Sequence, residues 1–187
     1  MRKIKFSGVR RSIGQYVRLA GSRNPIVVNM EIEVKGMREY CRDKDVSFSA
    51  LLVKTIADTV KKYPIMNSIL ARDAFLKKSI FLFDEVDMNI AVEKEYQGET
   101  FVVTPVIKNT DRKSIKEIDA YIKEVSETAF DKMPNIKLIL LFNWLPDFLK
   151  YFVLKTVCQA PSLFKMFFGT IGFSNLGKYG IIDCEPL

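Results

Sequence analysis

The sequence predicts one α/β domain. Helix-period and strand-period segments alternate along it in the order helix, strand, helix, strands, helix. Its 187 residues suit a single unit, and 48% hydrophobic against 27% charged residues is ample for a core. Histidine is absent. That excludes from these residues any His-based triad or dyad, any imidazole metal site and any His proton shuttle near neutral pH.

The elements follow in order. Residues 7–20 read as a helix with Val9, Ile13, Tyr16, Val17 and Ala20 on one stripe, closed by Gly21-Ser22 and Asn24-Pro25. Residues 26–34, IVVNMEIEV, alternate as a strand, and 35–43 read as a short polar helix. Ser47 or Ser49 is placed to cap the next helix, which runs to about Lys62, where Tyr63-Pro64 stops it. Three strands are expected after that: a buried one at 79–83, then 88–94 and 100–107 around a turn at Tyr96-Gln97-Gly98-Glu99. Pro105 puts an edge or a bulge near the end of the last. Ser114 and Glu117 form a capping box for a helix burying Ile115, Ile118, Ile122, Val125 and Ala129.

The net charge is +7, and all of the excess lies in residues 1–30, which hold seven basic groups and no acid. A targeting peptide, a nucleic-acid arm and a solvated helix face that meets an anionic ligand compete for it. Aromatic interleaving for base stacking is missing, so the solvated face is favoured and nucleic acid is not expected. Cys41, Cys158 and Cys184 are far apart, which argues against a disulfide framework or zinc site and for a reducing, cytoplasmic setting.

Residues 136–168 hold the most apolar run. Asn143, Pro146, Asp147, Lys150 and Lys155 interrupt it too often for a membrane span. Peripheral membrane contact or burial against a partner subunit remains open. Pro146 suits a helix start, with Phe148, Leu149, Phe152, Val153 and Val157 as its apolar stripe, and Ala160-Pro161 ends it.

Gly172 to Lys178 spell GxxxxGK, but Tyr179 stands where a P-loop needs Ser or Thr for magnesium. The carboxylates of Asp84, Glu85 and Asp87 could do acid–base work, although such groups are more often surface charges. No metal is expected.

Four segments carry a resemblance. FSGVRRSIGQYV has a Gly-x-Arg-x-x-Ile pattern in Gly8, Arg10 or Arg11, and Ile13. The helix from Ser47 ends in Tyr63, Pro64 and Asn67. The segment 86–118 places Asn89, Ala91, Val92, Pro105, Val106, Ile107 and Asn109 in register, and GTIGFSNLG holds Ser174 and Asn175. In this order they resemble the catalytic domain of the dihydrolipoamide acyltransferases of 2-oxo acid dehydrogenase complexes. The resemblance covers most of residues 1–187 apart from an apolar insert at about 133–168. It implies a chloramphenicol acetyltransferase-like mixed sheet with helices packed on it.

The resemblance further implies acyl transfer between CoA and a dihydrolipoamide-like thiol, by a general-base His and a Ser that donates to the oxyanion. By position that Ser is Ser174, with Asn175 supporting it. Arg10 and Arg11 are candidates for the CoA phosphates. A homotrimer or larger homo-oligomer is implied, with a lipoyl-bearing partner protein, since no lipoyl domain or lipoyl attachment site is read in this chain. The family's His-x-x-x-Asp-Gly segment is not found before Leu187, so the domain is expected to be C-terminally incomplete. A catalytically inactive scaffold subunit is the alternative reading.

Overall fold

The computed structural model describes residues 30–72, 78–133 and 144–175, together with Gly14, Gln15, Leu19, Val28, Leu141 and Phe142. Helix α1 (Lys35–Lys44) ends at Asp45 in the left-handed region. Helix α2 (Phe48–Lys62) starts at Ser47, whose Oγ accepts from the Ala50 backbone N–H at 3.2 Å. Ser47 is therefore the cap, and Ser49 is left on the first turn. Tyr63 leaves the helical region and Pro64 opens a 3₁₀ turn, as expected of a residue before proline.

Strands β1 (Ser68–Arg72) and β2 (Lys78–Leu82) pair antiparallel with Leu70 opposite Ile80. The expected buried strand at 79–83 is corrected here: Ile80 and Leu82 are exposed, because among the described residues β2 pairs with β1 alone and the even positions face outward. Strand β1 had no counterpart in the sequence reading. The expected strand at 26–34 is also corrected. Its described residues, Val28 and 30–34, form no ladder, and Val28, Met30 and Ile32 stand exposed. Alternation alone makes no strand without a neighbour to accept its hydrogen bonds.

The expected strand at 88–94 is two, β3 (Met88–Ile90) and β4 (Val92–Tyr96). The one at 100–107 is likewise β5 (Glu99–Val103) and β6 (Val106–Ile107), broken at Thr104-Pro105. The β4–β5 hairpin turns through Gln97 and Gly98, both at positive φ, which matches the twist of the flanking strands.

Helix α3 (Ile115–Glu127) carries the full capping box. It buries Ile118 and Val125, with Ile115 and Ile122 packed at the margin of the core; Ala129 lies past its end and is exposed. Helices α4 (Asp147–Gln159) and α5 (Pro161–Phe168) follow, then strand β7 (Ile171–Phe173).

The central sheet has the order β6-β3-β7, with β3 antiparallel to β6 and parallel to β7. Against it lie Ala50, Val53, Ala57 and Val60 of α2 and Ile118 of α3. Val86, Met88, Ile90 and Ile107 complete that core from the sheet side. Each fully buried aliphatic side chain contributes about 1.5–3 kcal/mol, so this helix–sheet layer is the rigid base under β7. Asp111 ties it to the loops: its Oδ1 accepts from the Val86 N–H and its Oδ2 meets Lys61 at 3.3 Å. Lys94 is buried in the β4–β5 layer, where its ammonium donates to the carbonyls of Ser126 and Thr128 at the end of α3. Burial pushes its pKa down.

Candidate active site around the end of strand β7

Strand β7 is held at its entry by β3. Gly169 has φ +68 and ψ −165, a region only glycine enters readily, and a Cβ there would stand 2.6 Å from the Asp87 carbonyl oxygen. The N–H of Thr170 donates to that carbonyl at 2.6 Å, and the Asp87 N–H donates to Thr170 Oγ1 at 3.2 Å. Asn89 Nδ2 donates to the Phe168 carbonyl at 2.6 Å, and a Cβ on Gly172 would meet Asn89 Oδ1 at 3.1 Å. The far end of β7 is fixed by the Ala91 N–H, which donates to the Phe173 carbonyl at 2.9 Å. Register and reach of this short strand are thus set by Asp87, Asn89 and Ala91.

Asp87 is 2% exposed, and its carboxylate is fully engaged. Oδ1 accepts from the Asn109 N–H at 2.8 Å, and Oδ2 pairs with Lys108 at 3.0 Å. Lys108 also donates to the Lys165 carbonyl at 3.1 Å, so one ammonium joins the core to the end of α5. Lys165 in turn pairs with Glu85, and its hydrogen-bonded ammonium holds that carboxyl below its usual range. Asp87 is a brace, neither the surface charge nor the acid–base group that its sequence context allowed.

Ser174 and Asn175 follow Phe173 directly, and both are exposed. Asn175 Nδ2 donates to Ser49 Oγ at 3.1 Å across 126 residues of sequence. The end of β7 therefore abuts the first turn of α2, where backbone N–H groups point outward and the helix end is partly positive. Beneath that turn, Asp119 Oδ1 accepts from the Ser47 N–H at 3.0 Å and Oδ2 pairs with Lys123 at 2.7 Å. Burial works to raise the Asp119 pKa, but these partners outweigh it and hold the carboxyl below its ordinary value. An exposed hydroxyl beside an N-terminal helix turn can donate to an oxygen that gains negative charge.

The two predicted residues of the strand are thus side by side at one end of it. Arg10 and Arg11 lie outside the described residues, as does most of the predicted helix at 7–20. Ser49 was missed as a site neighbour, because its sequence context signals only a cap; packing 126 residues away is invisible locally. Gly172 and Phe173 are strand residues, so the GxxxxGK run has no phosphate loop at its start. Among the described residues there is no cluster of metal-binding side chains, and no helix long and apolar enough to cross a membrane.

With this geometry in hand, similarity to known proteins becomes specific. Residues 1–136 match the family model of the 2-oxoacid dehydrogenases acyltransferase (catalytic domain). The chain is 32% identical over 141 residues to the lipoamide acyltransferase component of the branched-chain alpha-keto acid dehydrogenase complex of Bacillus subtilis. That alignment covers 70% of this chain and 31% of the relative. A dihydrolipoyllysine-residue succinyltransferase component of the 2-oxoglutarate dehydrogenase complex of Buchnera aphidicola is 32% identical over 99 residues, 53% of this chain and 23% of that one. The chain thus spans a third or less of the length of these curated relatives.

Among solved structures, a truncated catalytic core of the 2-oxoacid dehydrogenase multienzyme complex from Thermoplasma acidophilum superposes with a TM-score of 0.57 at 25% identity. It covers 71% of this chain and 62% of that one. A probable dihydrolipoamide acetyltransferase from Listeria monocytogenes gives 0.60 at 19% identity over 100% of this chain and 69% of its own, which bears on the fold alone. The fold is the chloramphenicol acetyltransferase-like one that the four segments implied. The chain belongs to the 2-oxoacid dehydrogenases acyltransferase (catalytic domain) family.

Proposed function

We propose that this domain moves an acyl group between CoA and a thiol acceptor of the dihydrolipoamide type. The observation that carries the reading is the end of β7: an exposed Ser174 on a braced strand, tethered through Asn175 to the first turn of α2. A base removes the proton from the attacking thiol, and the thiolate adds to the thioester carbonyl. The C–S bond forms as the carbonyl oxygen becomes an oxyanion, to which Ser174 Oγ donates. Collapse expels the second sulfur as a thiolate, which takes back the proton from the base.

These 187 residues contain no histidine, so a histidine base for this reaction lies outside them, in further chain of the same or a neighbouring copy. The subunits work as a homotrimer or larger assembly, with the acyl group delivered by a lipoyl-bearing partner in a reducing, cytoplasmic setting. Arg10 and Arg11 supply positive charge for the CoA phosphates.

The test is exchange of a labelled acetyl group between acetyl-CoA and free dihydrolipoamide by the full natural protein. Turnover that saturates in both substrates is expected. A folded protein that binds CoA but transfers nothing would replace the reading with a second one, a scaffold subunit.

A further inference from the structure

Helix α4 presents an apolar face to solvent. Phe148 is 72% exposed, Phe152 70%, Leu149 40% and Val153 39%. The two pairs lie one turn apart, so they form adjacent rows on one side of the helix. Trp144 precedes the helix, 91% exposed, and is the chain's single tryptophan. The face lies beyond residues 1–136, where the family match ends.

We infer that this face is a self-association surface that pairs two copies of the chain through α4 and Trp144. Two observations favour a second copy over lipid. The first is charge. A helix that lies in a membrane interface has a polar face rich in Lys and Arg. From 144 to 159 the charges are Asp147, Lys150 and Lys155, and Lys150 is 2% exposed with its ammonium 3.5 Å from Asp147. The exposed charge is one acid against one base, and Lys155 itself lies 5.9 Å over the Tyr151 ring. Such a face is neutral: it attracts no anionic surface and does not repel its own copy.

The second observation is area. With aromatic side chains offering about 150–250 Å² each, the five exposed residues present roughly 700 Å². That is close to the ~800 Å² per partner of a standard-size interface. A two-fold pairing places the same patch on both sides, with Trp and Phe as the anchoring residues.

This inference does not depend on acyl transfer, and its failure would leave that reading intact. The test combines sedimentation mass with the emission of Trp144 in the full natural protein across a dilution series. The result expected is a mass twice that of the F148K/F152K variant, with Trp144 emission blue-shifted at high concentration and returning to that of a water-exposed indole as the pair dissociates. Equal masses for wild type and variant would overturn it. So would a blue shift independent of concentration at the variant's mass, which would mean that the chain's own remaining residues cover the face. A blue shift that appears only with phosphatidylcholine or phosphatidylserine vesicles would assign the face to lipid instead. Because both phenylalanines are exposed, the variant is expected to keep the wild-type circular dichroism spectrum. Should it fail to fold, the dilution dependence of Trp144 emission in the wild type decides alone.

Discussion

Asn89 donates its Nδ2 to the carbonyl oxygen of Phe168 at 2.6 Å, which fastens the turn leading into β7 to the middle strand of the central sheet. With the Thr170–Asp87 bond it makes the position of Ser174 a property of the core. Helix α5, which leads into β7, is held to the same core by Lys108 and Lys165.

Gly169 is the point at which that fastening admits no side chain. Gly169→Ala forces a non-glycine residue to φ +68 and ψ −165 and sets its Cβ 2.6 Å from the Asp87 carbonyl. A loss of about 2–4 kcal/mol is expected, from backbone strain and local overpacking together. Urea unfolding followed by circular dichroism measures it, and an unchanged midpoint would mean that the entry to β7 is not fixed as described.

Asn67, between the 3₁₀ turn after α2 and the start of β1, bridges to the loop before β3. Its Nδ2 donates to the carbonyls of Phe83 at 2.8 Å and Glu85 at 3.0 Å while the residue is 2% exposed. Asn67→Ala strips two partly buried carbonyls of a donor and is expected to cost about 1–3 kcal/mol. Asn67→Asp should not rescue it, because a carboxylate cannot donate to either carbonyl. Equal stability of Asn67→Asp and the wild type would remove this account of the Tyr-Pro-x-x-Asn pattern.

Acid should weaken the domain through Asp119 and Asp111, both held below their ordinary value of 3.8 in the folded chain. Folded values below unfolded ones mean that the stabilisation is complete above the unfolded pKa. It is lost as pH falls through the folded pKa. Asp119→Asn keeps an acceptor for the Ser47 N–H but loses the charge facing Lys123. At neutral pH the variant should be less stable by about 1 kcal/mol, discounted because Lys123 is largely exposed. The gap should close as pH drops below about 4. Urea midpoints across that range check it; a gap constant with pH would show that the carboxylate charge plays no part.

Much of the fold is legible in the sequence where the signal is local. Ser114 and Glu117 announce the start of α3 because both halves of the box lie within one turn. Gln97-Gly98 announces the hairpin because the turn demands positive φ. The exposed Ile80 and Leu82 were not legible, since an apolar run says nothing about how many strands will flank it. At the site, Ser174 and Asn175 were found through a family pattern, whereas Ser49 and Gly169 act through contacts that span 80 residues or more, and the Asp87 carboxylate through partners 21 and 22 residues away. The 126-residue reach from Asn175 to Ser49 has no trace in either local segment.

The central claim rests on Ser174, and the most direct measurement is the acyl-CoA turnover of the full natural protein beside its Ser174→Ala variant. Loss of one oxyanion donor is expected to lower kcat by about a hundredfold or more. KM for acyl-CoA and the urea midpoint should stay where they are, because the hydroxyl is exposed and acts on the transition state. An active enzyme whose rate is untouched by Ser174→Ala would contradict the account.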